Sequence, residues 1–309
     1  MLGLLLVLLP ACTALSPAAQ QIEHSVESGL LASVLKNGTL VIATDPDYPP
    51  QSQLQKKVAR LTDTKCDLTQ YTANQLVGFD VDVAVEVARR LGVEPCFVTP
   101  AWSQLVGGNW GGRWDVHVGS MAITFERMEH LLFSQPYTTG KAVLFVHQDN
   151  QKIIEPGDLS GKRVGVCTGC AYEAYLRNTL QIPGEEINFQ IQDAVIVGYD
   201  TDTSALADLA LGDGLHLDAV MTDPDTGQVA ISEGLPIKQV GETVYHDYVA
   251  IAVDKKSSSD PLPLIQRITE IVTAMHQEGT LRELSQKYYH GDFTKPASEY
   301  DIQALEAEP

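Results

Sequence analysis

Basic residues are scarce in this chain. It carries 21 Lys and Arg against 40 Asp and Glu, a formal net charge of −19 over 309 residues. Nucleic-acid binding rests on neutralising phosphates with cations, so a balance this acidic argues against that partner and suits a soluble protein outside the cytosol. Long apolar runs are nearly absent as well. The single one, "MLGLLLVLLPAC" at 1–12, is too short to span a bilayer and leads into small and polar residues. It reads as an export signal over residues 1–14, followed by a tether over 15–29.

Cysteines are few, five in all. "LPAC" at Leu9–Cys12 matches a lipobox pattern that would lipidate Cys12, the one route by which this chain would touch a membrane. Ordinary cleavage after Ala14 is the rival. The absent basic n-region leaves room for a start further upstream. Apart from Cys12, four cysteines remain, and an even number in an oxidising compartment suggests two disulfides. Cys167 and Cys170 are close enough in sequence to form one, leaving Cys66 for Cys96; free buried thiols are the alternative. The eight histidines have no metal-ligand spacing, so no metal is expected; His117 alternates with core valines and reads as packed. No G-x-S-x-G, H-E-x-x-H or phosphate-binding glycine loop occurs, no cofactor is implied, and no internal repeat stands out.

What is present is an alternation of strands and helices. "GLLASVLKNG" reads as a helix and "TLVIATD" (Thr39–Asp45) as a strand. Residues 51–76 read as a polar, hairpin-like excursion holding Cys66. "GFDVDVAVEVARRLGV" reads as an amphipathic helix with Val81, Ala84, Val85, Ala88 and Leu91 on one face. Strands "EPCFVTP" and "DVHVGSM" follow. A second α/β pattern starts at "KRVGVCTGCAYEAYLRN" and continues through "AVIVGYD", "SALADLALGDG" and "LDAVMTD". "YVAIAVD" gives one more strand, and the segment to "SQKYY" gives two helices broken at Glu278-Gly279. The tail after Phe293 reads as frayed. Two α/β units predict two lobes around a cleft, with ligands beyond the carboxyl ends of the strands.

One residue in that pattern is out of place. Thr124 can cap a helix whose first turn contains Arg127, where the helix dipole disfavours a cation by a few tenths of a kcal/mol. Arg127 is therefore paired locally, with Glu126 or Glu129, or it awaits an anion from outside. The neighbouring strand ends carry Asp45, Asp47, Tyr48, Trp102, Gly119, Ser120, Thr168, Gly169, Cys170 and Asp223. One fixed cation, several carboxylates, aromatic faces and helix N-termini are what a zwitterion needs.

The stretches "VIATDPDYPP…VGFDVDVAVEVARRLGV", "GRWDVHVGSMAITFERMEHLLFSQPYTTG", "DLSGKRVGVCTGCAYEAYL", "LDAVMTDPD" and "MHQEGTLRELSQKYY", in this order, resemble the family 3 solute-binding proteins of bacterial ABC importers, from about residue 30 to 293. The resemblance implies an α/β fold of the type II periplasmic-binding-protein kind, in which two lobes are joined by two crossover strands and close on the ligand. Lobe 1 would comprise 30–142 plus 247–309, and lobe 2 143–246. It further implies a monomer that captures an amino acid, polar or cationic by a slight lean, and delivers it to a membrane permease.

By the same resemblance Arg127 holds the ligand α-carboxylate with backbone from Gly119 and Ser120. Asp223 holds the α-ammonium, Tyr48 and Trp102 cover the side chain, and Asp45 lies near the side-chain pocket. The Thr168–Ala171 turn supplies the lobe 2 contacts. Ala122 and Ala171 depart from the pattern, since the family usually has hydroxyl residues at the first and Thr or Gly at the second, and Gln51 stands where Phe is common. Alanine keeps its N–H and adds no hydroxyl donor, which implies a weaker clamp or an unusual ligand. Two other function classes stand beside transport. A few relatives of the fold are periplasmic dehydratases, for which Glu173 and Asp45 are the nearest acids, and a ligand sensor would use the same cleft. A CxxC at the head of a helix also fits redox thiols, against which stands a structural disulfide stiffening the ligand-facing loop.

Overall fold

The computed structural model describes residues 29–302. The export signal, Cys12 and most of the tether lie outside the described residues. The helix Phe79–Leu91 shows how the elements form. Asp80 and Asp82 occupy its first turn, Arg89 and Arg90 its last, and Gly92 ends it in the left-handed conformation, all in the sense the helix dipole favours. Its buried face is wider than the periodicity predicts. Phe79, Val83 and Val87 are buried with Val81, Ala84, Ala88 and Leu91, whereas Val85 is only partly so. The helix is packed on two sides, against a sheet and against the C-terminal helices Leu262–Glu278 and Thr280–Tyr289. Gly279 separates those two helices at φ +83°, as expected from Glu278-Gly279.

Two sheets organise the chain. The first runs β4 (Tyr71–Thr72), β6 (Glu94–Val98), β1 (Thr39–Ala43), β7 (Val116–His117), β14 (Ala252–Asp254), β8 (Leu131–Phe133). Strand β1 is parallel to both of its neighbours, which places the carboxyl ends of β1, β6 and β7 on one side. The second runs β11 (Val195–Tyr199), β10 (Arg163–Cys167), β12 (Ala219–Thr222), β9 (Thr138–His147), β13 (Ile237–Val249), and β10 is parallel to β11 and β12. A short antiparallel sheet of β2 (Asp47–Tyr48), β3 (Ser52–Leu54) and β5 (Leu76–Val77) joins the two ends of the 51–76 excursion, most of which is irregular. The Cys66–Cys96 disulfide ties that excursion to β6, and Cys167 is bonded to Cys170.

Strands β9 and β13 pair antiparallel from Val249↔Thr138 to Ile237↔His147, with an irregularity between Val240 and Tyr245. They are the only long strands among the described residues, and they run from the first sheet into the second. The fold is thus two lobes joined by a pair of crossover strands. Each lobe has its own apolar core, one around Leu40, Ile42, Phe79 and Ile268, the other around Leu144, Val166, Tyr175 and Met221. The sequence pattern does not reveal that β13 starts at Ile237. It also misjudges the tail after Phe293, which does not fray within the described residues. Lys295–Glu299 is helical, the Tyr300 ring stacks on Tyr248 at 3.9 Å, and the Tyr300 hydroxyl donates to the Pro183 carbonyl at 2.9 Å.

Candidate functional site

A cleft of about 510 Å³, its mouth included, lies where the two lobes meet. From the first lobe Asp45, Tyr48, Trp102, Gly119, Ser120, Ala122 and Arg127 line it. Ala171, Tyr172 and the segment Asp200–Asp202 face them, and Asp247 comes from the crossover strand β13. Eight of the ten residues expected from the sequence are therefore gathered here. Thr168 is exposed on its turn and does not line the cleft. Asp223 does not reach it either. It caps the helix Pro224–Ser232, accepting from the Asp225 and Thr226 amides at 2.9 and 3.4 Å, and accepts from Gln51 Nε2 at 3.0 Å across the lobes.

Arg127 is only 6 % exposed. Thr124 caps its short helix by accepting from the Arg127 amide at 3.2 Å. The guanidinium donates to the Ala122 carbonyl at 2.9 Å and the Gly169 carbonyl at 3.3 Å, and lies 5.3 Å from the centre of the Trp102 ring. It makes no ion pair with any described residue, Glu126 and Glu129 included. Burial holds its pKa below the usual arginine range, with Asp247 the main opposing charge. Among the described residues this buried cation at the cleft has no ionic partner, a costly arrangement for the fold by itself. Thr124→Ala should cost about 1 kcal/mol, the usual value of an N-cap, measured by denaturant unfolding; no change would mean the cap does not hold Arg127 in place.

The backbone near Arg127 offers less than the resemblance implies. Ser120 sits at φ +53°, its amide donates to the Tyr137 hydroxyl at 3.2 Å, and its hydroxyl donates to Asp80 at 2.7 Å. Tyr137 also donates to Asp80, at 2.9 Å, so both hydrogen-bond donors of Ser120 are occupied from beneath the cleft. Gly119 has a steric reason. A Cβ there would come within 2.8 Å of His117 Nε2. His117 is packed, as its alternation with valines suggests: it lies edge-on to Trp102 at 5.6 Å, and burial lowers its pKa to about 3, so it is neutral.

Carboxylates outnumber cations around the cleft. Burial, and then the charge of Asp45, raises Asp202 to about 7. Burial raises Asp247 to about 6 against the pull of Arg127, and burial also raises Asp45. One oxygen each of Asp202 and Asp247 is buried without a hydrogen-bond partner. These two residues, with Asp200, Thr201 and Tyr172, are what the sequence reading missed. Asp200 ends the stretch "AVIVGYD" and Thr201 and Asp202 follow it, so the strand-end rule could have found them; Asp247 lies inside a strand and has no such signal. The dehydratase acids fare unequally. Asp45 lines the cleft, but Glu173 faces a neighbouring cavity. Although burial pushes its pKa up, the Gly169 amide at 2.6 Å and Arg177 outweigh this and keep it ionised.

The lobes touch across the cleft. Trp102 Nε1 donates to the Gly169 carbonyl at 3.1 Å, Thr203 donates to Asp47 at 2.5 Å, and the hydroxyls of Tyr48 and Tyr172 are 3.1 Å apart. Tyr172→Phe should loosen closure of the empty protein by about 0.5–1.5 kcal/mol, one hydrogen bond, and enlarge its radius of gyration in small-angle scattering. An unchanged radius would mean the tyrosine pair does not hold the lobes. No described helix is long and apolar enough to cross a membrane.

Known proteins share this architecture. The family model described as bacterial extracellular solute-binding proteins, family 3, matches residues 40–291. The L-cystine-binding protein TcyJ of Escherichia coli K12 is 28% identical over 280 residues, 90% of this chain and 92% of that protein. The ABC transporter arginine-binding protein 1 of the same organism is 25% identical over 224 residues, 70% of this chain and 83% of that protein. Among solved structures, the ancestral amino acid-binding protein AncCDT-1, a precursor of cyclohexadienyl dehydratase, is 26% identical with a TM-score of 0.67, covering 84% of this chain and 99% of that one.

Proposed function

The chain belongs to the bacterial extracellular solute-binding proteins of family 3, and from that premise we propose that its cleft captures an amino acid outside the cytoplasm by hinge closure and hands it to the permease of an ABC importer. The observation that carries this reading is Arg127, buried to 6 % exposure, turned to the cleft and without an ionic partner among the described residues. A ligand α-carboxylate supplies that partner as a charge-assisted pair. The ligand ammonium is met by Asp202 and Asp247, whose buried oxygens lack partners, while Tyr48 and Trp102 pack its side chain. Asp223 joins only if the lobes rearrange around the ligand.

In this reading lobe 1 is 30–142 plus 247–309, lobe 2 is 143–246, and β9 and β13 are the hinge. A ligand that touches Arg127 on one lobe and Asp202 on the other favours the closed state by its differential contacts. The protein works as a monomer, either lipid-anchored at Cys12 or released after Ala14. The polar or cationic lean agrees with relatives that bind cystine and arginine.

Thermal unfolding against a panel of amino acids and small organic acids tests the proposal. A ligand at 100 times its Kd adds about 2.7 kcal/mol, on the order of 5–10 °C for a protein of this size. A shift with one amino-acid class supports capture and names the ligand. The relatives aligned over most of their length are binding proteins, and we assign no turnover. Conversion of a prephenate-like acid would reverse that and favour the dehydratase reading, for which Asp45 is the remaining acid.

A further inference from the structure

A further set of contacts joins the lobes outside the cleft, on one loop of the second lobe. Residues 179–185 follow the helix Ala171–Leu176, whose Ala174 carbonyl accepts from the Thr179 amide at 2.9 Å and the Leu180 amide at 3.2 Å. Leu180 and Ile182 are buried in the core of the second lobe, so the loop moves with that lobe. Three donors reach it from the first lobe. The Phe125 amide donates to the Gln181 carbonyl at 3.1 Å, and the Tyr300 hydroxyl donates to the Pro183 carbonyl at 2.9 Å. The Tyr248 hydroxyl donates to the Glu185 carboxylate, also at 2.9 Å.

Tyr300 reaches the loop on a segment anchored to the first lobe. The Thr139 amide and hydroxyl donate to the Phe293 carbonyl at 3.1 and 2.9 Å. Gln135 Nε2 donates to the Ala297 and Tyr300 carbonyls, both at 2.8 Å. Tyr300 and Ile302 are buried in the same apolar cluster as Phe133 and Ala252. The stack of Tyr300 on Tyr248 then presents both hydroxyls to the loop. We propose that residues 293–302 form a strap that holds the lobes together from outside the cleft, with Tyr300 and Tyr248 as its fastening. None of Pro183, Glu185, Tyr248 and Tyr300 lines the cleft, so the strap acts on the empty protein as well as on the filled one. Swinging the second lobe away carries the loop off both hydroxyls. Each bond lost on opening disfavours the open state by a factor of roughly two to ten, and the buried Tyr300 bond weighs more than the exposed Tyr248 one. The strap thereby sets how much of the empty protein is open to receive a ligand. This inference rests on the hinge-closure part of the proposed function and not on which ligand is captured.

Single-molecule energy transfer between dyes at Lys57→Cys on the first lobe and Glu233→Cys on the second, both exposed positions, reads the open-to-closed ratio of the empty protein. Tyr300→Phe keeps the ring stack and should raise that ratio roughly two- to tenfold. Tyr248→Phe should raise it by a smaller factor, and the two together by more than either. Glu185→Ala should match Tyr248→Phe and add little to it, because both remove the same bond. Tyr175→Phe is the control. It removes a hydroxyl bond of equal length, 2.9 Å to the Asn188 carbonyl, inside the second lobe, so it should lower the melting temperature without moving the ratio. A single open population in the unsubstituted protein overturns the strap. So does a ratio that Tyr300→Phe and Tyr248→Phe leave unchanged, or that Tyr175→Phe moves as far. Capture is scored apart from this, by the thermal panel: those results leave it standing, whereas a silent panel beside a strap-dependent ratio removes capture and keeps the strap.

Discussion

Replacing Arg127 with methionine should abolish capture while the melting temperature of the empty protein holds or rises. Arg127 is 6 % exposed, and its guanidinium is bonded, among the described residues, to the carbonyls of Ala122 and Gly169 and lies beside Trp102. A buried charge without a counter-ion is a cost to the fold, seen in the direction of its own pKa, which burial lowers. Methionine fills the space without the charge and offsets the two lost carbonyl bonds. Ligand binding moves the other way. Removing one partner of a desolvated, hydrogen-bonded charge pair costs about 2–5 kcal/mol, roughly 30-fold to several thousand-fold in Kd. Calorimetry and thermal unfolding on the same sample read both quantities. An unchanged Kd with a melting temperature several degrees lower would make Arg127 a structural residue and remove the clamp.

Arg127 could be read from the sequence because it breaks a local rule. A cation in the first turn of a capped helix is electrostatically misplaced, and misplacement of that kind needs a partner. The helices Phe79–Leu91, Leu262–Glu278 and Thr280–Tyr289 were equally legible, since their caps and apolar spacing agree with the fold. The unread features are long-range ones. Asp247 becomes a cleft residue only because β13 crosses between lobes, and "IKQVGETVYHDYV" gives no clean alternation on the edge strand it forms. Tyr300 orders the C-terminal segment through a ring stack on Tyr248, far away in sequence. Asp223 shows the reverse case: "DPDT" is a local capping sequence, and in the structure Asp223 caps its helix as well as accepting from Gln51 across the lobes.

Raising the pH from 5 to 8 should destabilise the empty protein and tighten its hold on ligand. Burial raises Asp202 and Asp80 to about 7, Asp247 and Asp115 to about 6, and Asp223 to about 8. In the unfolded chain all ionise near pH 4. Between about pH 4 and 8 the folded state therefore binds more protons than the unfolded state, and unfolding free energy falls as pH rises. One group raised three units accounts for up to about 4 kcal/mol by the upper end of that window. Neighbouring acids share protons, so the sum is smaller than five such terms. A fall of about 10 °C in melting temperature between pH 5 and 8 is the expected size. Below pH 4 the sign reverses, because Glu86, held near 2 by Arg89 and Arg90, begins to lose its salt bridges. Ligand opposes the loss, since an ammonium between Asp202 and Asp247 favours their ionised forms. Binding then releases protons, and affinity should improve roughly tenfold from pH 5.5 to 7.5. Asp202→Asn should flatten both slopes and weaken binding. Calorimetry in buffers of different ionisation enthalpy counts the released protons directly. A proton count of zero with a flat affinity profile would remove the carboxylates from the ammonium site, even if Arg127 still held the other end.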